Sequence, residues 1–313
     1  MKKAPLIIAL LLVTSIIYAQ KISEQFVKSV VSTLASDEMK GRSATKPEST
    51  GKASKFIESM FSDIGLMPLE GLTNFRQEFE AEGIKMNNVA GMLKGKSKPD
   101  EYIVFSAHYD HIGVMKPIAG DSIANGADDD ASGVTAVIAL AKYFKEQRDN
   151  ERTLIFVAFT AEELGGFGSQ YFTKQISSDK VVAMFNIEMI GKHSKWGTGS
   201  AFITGFDLSD FGKILQKNVE KTSFKFQPDP YPDEQLFLRS DNARLAILGV
   251  PAHSISTDEI DKDKLYHTVN DEVESLDIKN MTEVINAIAT GSKTIINGRD
   301  TPTRIAPMVA PSR

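Results

Sequence analysis

An α/β fold with a mixed, largely parallel central sheet and helices on both faces is what this sequence predicts, on three observations. Short apolar runs of buried-strand type at residues 102–107, 153–159 and 181–187 alternate with helical stretches at 134–144 and 166–175. Each run is followed at once by acids or histidines, and in parallel α/β sheets the carboxyl ends of the strands are where ligands bind. The composition, 42% hydrophobic and 25% charged over 313 residues, is that of an ordinary globular chain able to bury one large core.

Taken in order, the chain opens with Lys2 and Lys3, an apolar run at 6–17 and Tyr18-Ala19-Gln20, a pattern that reads as a secretory signal cleaved after Ala19. The run is shorter than the roughly 20 residues a membrane span needs, so removal rather than a lasting anchor is expected. Residues 20–297 then read as a single domain. Apolar residues at helical spacing mark 22–34 and 51–64, with Met39 to Ser43 as a polar loop between them. Strands follow at 75–81 and 87–95, and a turn at 95–100 leads into the strand at 102–107. A loop rich in Gly, Asp and Asn precedes the helix at 134–144. Farther along, 201–204 and 250–256 read as strands, with Pro251 at the start of the second, where a missing N–H donor costs least. Residues 208–219 and 278–296 read as helices, 227–233 as a Pro-rich loop, and 298–313, with Pro302, Pro307 and Pro311, as a loose tail.

A formal charge of −5 without a basic block argues against a nucleic-acid partner. The chain has no cysteine, which excludes disulfides and a lipid-modified cysteine. An exported chain of this kind relies on its core, or on metal, for stability.

Acids and histidines recur where strands end: His108, Asp110, Asp129, Glu162, Glu163, Glu188 and His267. Two histidines with several carboxylates suit zinc, which takes nitrogen and oxygen ligands and, in catalytic sites, leaves a position for water. A pair of such ions needs a shared carboxylate, and Asp129 is the natural candidate, since Gly126 and Gly133 let the backbone bend around a charged centre. An acidic surface loop or a calcium loop is the plainer reading of Asp128 to Asp130, although the alternating acids of an EF-hand are absent. His108-Tyr109-Asp110 has the form of a ligand followed by its outer partner, because ligating histidines usually donate their second ring N–H to a carboxylate. The adjacent Glu162 and Glu163 allow one acid to be committed to metal while the other stays within reach of a water.

Five motifs stand in an order that resembles the M28 family of zinc aminopeptidases: Ser106-Ala107-His108-Tyr109-Asp110, then 126–133 around Asp129, then Thr160-Ala161-Glu162-Glu163-Leu164-Gly165, then Asn186-Ile187-Glu188-Met189, and last Tyr266-His267-Thr268. The resemblance runs from about residue 88 to His267, plus the closing helix. It implies an aminopeptidase acting on peptides with a free N-terminus, two Zn2+ ions bridged by Asp129, one site completed by His108 and Glu188, and the other by Glu163 and His267. It further implies Glu162 as general base and Asp110 as outer partner of His108. Tyr266 stands where some members place a tyrosine that bonds the oxyanion, and it reads equally as an aromatic packed beside a ligand. Leu238-Arg239-Ser240-Asp241-Asn242 resembles a Ser-Asp motif lining the family's pocket.

Glu188 departs from the family, which most often has aspartate there. The added methylene moves the carboxylate by about 1.5 Å, which bears on metal geometry, on how a substrate amine is held, and on whether both ions bind. His111 is expected at the mouth of the site, and His193 and His253 as structural or exposed. Two rival readings remain: a glutaminyl cyclase of the same fold with a single zinc, and a catalytically inactive binding homologue.

Overall fold

The computed structural model describes residues 21–306 and residue 308, so the expected signal at 1–19 lies outside the described residues. Its helices are α1 (Glu24–Leu34), α2 (Pro47–Ile64), α3 (Gly133–Gln147), α4 (Phe167–Gln175), α5 (Phe211–Asn218), α6 (Ala243–Ala246), α7 (Ile278–Gly291) and α8 (Lys293–Ile296). Its strands are β1 (Met67–Pro68), β2 (Arg76–Ala81), β3 (Ile84–Leu93), β4 (Lys98–His108), β5 (Gly113–Ile118), β6 (Asp121–Ala124), β7 (Arg152–Phe159), β8 (Val181–Ile187), β9 (Ser200–Ile203), β10 (Lys225–Pro228) and β11 (Ala252–Ser256).

The central sheet runs β1-β3-β7-β4-β8-β11-β9-β10, with β2 sharing the outer edge of β3. Strands β7, β4, β8 and β11 are mutually parallel, while β3 joins β7 and β9 joins β11 antiparallel, so the sheet is mixed with a parallel centre. Side chains alternate across it. Ile103, Phe105 and Ala107 of β4, with Leu154, Phe156 and Ala158 of β7, enter one core with α1, α2, α3, α5 and α7. Val104, Ile155, Val157 and Phe159 enter the opposite core with Phe172 of α4 and Leu245 of α6. This period of two on strands covered from both sides is why the runs look uniformly apolar in sequence. Phe105 anchors the larger core, its ring 4.8 Å from Phe185, 5.5 Å from Phe156 and 5.6 Å from Phe144.

The chain leaves β4, passes through α3 to β7 on one side, and then through α4 to β8 on the other. That reversal makes β4 the switch point, and its last residue is His108. The residues after β7, β8 and β11 emerge at the same edge.

Four expectations are corrected. Residues 39–43 are not a solvated polar loop: Met39, Gly41 and Arg42 are buried in a tight 3-10 segment at Asp37–Arg42. The Gly-, Asp- and Asn-rich loop contains the ribbon β5–β6, whose turn residues Ala119 and Gly120 both have positive φ, as a two-residue hairpin demands. The tail after Gly298 is tied down as far as it is described. Arg152, buried in β7, donates to the carbonyls of Ile295 and Asp300 and to Thr301 Oγ1 at 2.6–2.7 Å, and Ile305 is buried with its N–H on Gly249 O. A buried guanidinium needs acceptors, and the tail supplies them. The start of the Pro-rich loop, as far as Pro228, likewise pairs in parallel with β9 as β10.

Candidate metal centre

Three strand ends, one turn and one loop deliver the site. His108 is the last residue of β4, Glu162 and Glu163 follow β7, Glu188 follows β8, and His267 lies in the loop after β11 with φ +56°. Asp129 comes from the turn between β6 and α3, where Gly126 adopts φ +56° and the Asp129–Asp130 peptide is cis. The expected ligands converge. His108 Nε2 lies 3.2 Å from Asp129 Oδ1 and 3.0 Å from Glu188 Oε1. His267 Nε2 lies 3.2 Å from Asp129 Oδ2 and 3.0 Å from Glu163 Oε2. The two oxygens of one carboxylate thus face two separate donor sets.

His111 is not at the mouth. It is 1% exposed, with Nδ1 3.0 Å from Glu163 Oε1 and 3.4 Å from Asp129 Oδ2. The signal that could have found it is the spacing from His108, three residues on, at the point where β4 has just ended.

Each neighbouring aspartate has its own task. Asp128 Oδ1 accepts from Gly191 N at 2.7 Å, holding the chain just past Glu188. Asp130 accepts from Gly133 N and Met189 N at 2.9 and 3.1 Å and from His108 N at 3.3 Å, so it joins the ends of β4 and β8 to the start of α3. Asp271 takes the N–H groups of Asp128 and Asp129 at 2.9 and 3.0 Å. Beneath the same turn lies Arg42, fully buried, its guanidinium donating to the carbonyls of Leu34, Tyr109, Asn125 and Gly126 at 2.5–2.8 Å. Lys192 closes a further group of acids, 3.3 Å from Asp128 Oδ2 and 2.7 Å from Asp263 Oδ2.

Asp110 sits beside His108, but its carboxylate oxygen is 3.7 Å from Nδ1, too far for a hydrogen bond. Its main-chain carbonyl takes that role at 3.0 Å, and the carboxylate accepts from Glu162 N at 3.1 Å. Asp110 therefore orients the Glu162-Glu163 turn as well as His108. Glu188 reaches past its strand end with Oε2 held by Ser240 Oγ and by Asn186 Nδ2, which is how the longer side chain is accommodated. Ser240, from the Ser-Asp motif, thus touches the site directly. Tyr266 stacks on His267, ring centroids 3.9 Å apart, and lines the cleft with Glu162, Phe202, Leu236 and Ile260. His253 is buried away from the cleft between Ser209 Oγ and Thr204 O, both at 2.8 Å.

The electrostatics fit a cation. Burial alone would raise Asp129, but His111, His108 and His267 outweigh it and hold the carboxyl well below its ordinary value. Burial opposes a charge on His267, yet Asp129 and Glu163 lift it to about 10. A field that makes imidazoles hold protons this firmly is one that attracts a dication. Glu162 goes the other way: burial first, and then Glu188, Asp241 and Glu163, push it well above the ordinary carboxylate range. Tyr266 is raised by burial and by Asp129 and Glu163, so its phenol keeps its proton.

Known proteins resemble this chain in sequence and in fold. The chain is 30% identical over 220 residues to a probable zinc metalloprotease of Pyrenophora teres f. teres, a match covering 65% of this chain and 46% of that protein. It thus spans less than half the length of that curated relative. The fold is similar to the Legionella pneumophila LapA aminopeptidase at TM-score 0.69 and 20% identity, covering 88% of this chain and 72% of that one. It is similar to the same degree to the Porphyromonas gingivalis glutaminyl cyclase, at TM-score 0.68 and 16% identity over 88% and 99% of the two chains. The model of peptidase family M28 matches residues 88–291, most of the chain, including His108, His111, Asp129, Glu162, Glu163, Glu188 and His267, and the chain belongs to that family.

Proposed function

We propose that this protein is an exported di-zinc aminopeptidase. The observation that carries the reading is the division of Asp129 between two donor sets, His108 with Glu188 and Glu163 with His267, beside an uncommitted Glu162. The residues present fit two ions. Asp129 Oδ2 and His267 Nε2 are buried with no hydrogen-bond partner, and donor separations of 3.0–3.4 Å are close to the edge of about 3.3 Å expected for a tetrahedron of zinc–ligand bonds near 2.0–2.1 Å.

Bound zinc supplies Lewis acidity towards a scissile carbonyl and lowers the pKa of water towards neutrality. The chain's own residues do the rest. Glu162, with its raised proton affinity, is suited to take a proton from water and return it to the leaving amine near neutral pH. The Tyr266 phenol stays protonated and faces the same cleft, where it can donate to a developing oxyanion. Ser240 and Asn186 hold Glu188 in place. The cleft encloses about 150 Å³, with apolar walls from Phe202, Leu236 and Ile260, which suits one terminal side chain better than a long stretch of extended peptide. Export rests on Lys2, Lys3 and the apolar run before Ala19. Among the described residues no helix is long and apolar enough to cross a membrane.

The fold does not separate this reading from a one-zinc cyclase. Two complete donor sets favour hydrolysis. Aminoacyl chromogenic substrates should be hydrolysed by the protein and spared after chelation, with activity restored by zinc. Cyclisation of N-terminal glutamine without release of any residue would replace the reading with the cyclase, and no turnover of either substrate class by the zinc-loaded protein would replace it with a binding homologue.

A further inference from the structure

His111 approaches the same two carboxylates as His267 and at nearly the same distances. Its Nδ1 is 3.0 Å from Glu163 Oε1 and 3.4 Å from Asp129 Oδ2, while His267 Nε2 is 3.0 Å from Glu163 Oε2 and 3.2 Å from Asp129 Oδ2. All four groups present ligand atoms to one small volume. We propose that His111 is a fourth protein ligand on the His267 side, so that the two metal positions are unequal. This inference rests on the two-metal reading above.

Packing fixes His111 for the task. Its N–H donates to Arg42 O at 3.2 Å, and its backbone bridges Ser43. Gly126 lies against the ring so closely that a Cβ there would stand 2.6 Å from Cγ and Cδ2 of the imidazole, leaving the ring no room to move that way. The buried Nε2 has no hydrogen-bond partner among the described residues, so no donor there forces the ring proton onto Nδ1; with the proton on Nε2, the Nδ1 lone pair is available to a metal in place of the hydrogen bond to Glu163.

With His111 counted, one position has Asp129, Glu163, His267 and His111, which completes a tetrahedral set from protein atoms alone. The other has His108, Asp129 and Glu188, and keeps a position open. Closed four-ligand sets are typical of structural zinc and three-ligand sets of catalytic zinc. The site therefore combines a firmly held ion on the His267 side with a more exchangeable one on the His108 side.

The test begins with cobalt-loaded wild-type protein. A ligated imidazole shows its remaining ring N–H as a hyperfine-shifted, exchangeable proton signal, so with both positions filled His108, His111 and His267 should give three. His111→Asn should remove one signal and weaken one of the two ions by more than about 100-fold in a competition titration with a chromophoric chelator, since even loss of an outer partner costs 10–100-fold. Asparagine can still donate a hydrogen bond to Glu163, so the substitution spares a role that is only hydrogen bonding. Two shifted signals with two ions bound, or His111→Asn retaining both ions within threefold of wild type, would overturn the proposal and leave the two-metal reading standing. Uptake of fewer than two ions by wild type would overturn that reading, and the proposal with it. The wild-type spectrum decides the matter even if a variant does not fold.

Discussion

Asp128, Asp129 and Asp130 are chemically identical and adjacent, yet only Asp129 faces both donor sets, His108 with Glu188 and Glu163 with His267. The backbone decides this. Asp271 holds the N–H groups of Asp128 and Asp129, while the Asp130 carboxylate accepts N–H groups of His108, Gly133 and Met189. Burial and the nearby Glu188 push Asp130 well above its ordinary value, so its worth lies in the three donors it satisfies rather than in its charge. Asp130→Ala should lower the free energy of unfolding by roughly 3 kcal/mol or more, since an unsatisfied buried donor costs about 1–3 kcal/mol, and urea titration would show it. A second residue-scale expectation concerns His253, which burial holds at about 4 instead of 6.5. The folded state then binds fewer protons than the unfolded chain, so this contribution is complete above pH 6.5 and is lost as pH falls from 6.5 towards 4. The stability lost between pH 7 and pH 5 should be about 2 kcal/mol smaller in His253→Gln than in wild type, and equal losses would contradict the assignment.

At the scale of elements, the site is a set of strand ends held in register by the loops beneath them. Most strands and helices were legible because β4, β7 and β8 are covered on both faces, which makes each a short apolar run bounded by polar residues. The 37–42 segment was not legible, because a buried arginine satisfied by carbonyls looks the same in sequence as an exposed one. Arg42 ties the end of α1 to the turns carrying Asp110 and Asp129. Arg42→Met should cost about 3–5 kcal/mol, because four carbonyls lose their donor in the interior, and denaturant unfolding measures it. The junction of α3 with β8 is equally tight: a Cβ on Gly133 would stand 2.2 Å from the main-chain oxygen of Ile187. Gly133→Ala should cost about 1–3 kcal/mol, or more if the backbone cannot yield, and a melting temperature equal to wild type would refute the close approach. The tail escaped sequence reading for the same reason as Arg42, since its anchor is Arg152 in a distant strand.

Across the whole molecule, the proposed metal centre would couple metal to fold. The donors come from the ends of β4, β7 and β8, from the turn before α3 and from the loop after β11, so bound ions would join parts of the chain that otherwise meet at one edge of the sheet. Five of these donors were legible as ordered motifs, whereas His111 was not, since a histidine just past a strand end looks the same whether it faces solvent or the interior. A ligand at about 1,000 times its dissociation constant stabilises the folded state by about 4 kcal/mol, so chelation should lower the melting temperature by several degrees, and zinc should restore it. In the function proposed, the adjacent acids Glu162 and Glu163 are divided between proton transfer and metal. The most direct measurement is bound zinc per chain together with turnover of an aminoacyl substrate in wild type, Glu162→Gln and Glu163→Gln. Glu162→Gln should keep two ions while turnover falls by about 10²–10⁴-fold, and Glu163→Gln should lose an ion. Full turnover by Glu162→Gln, or two ions retained by Glu163→Gln, would contradict that division.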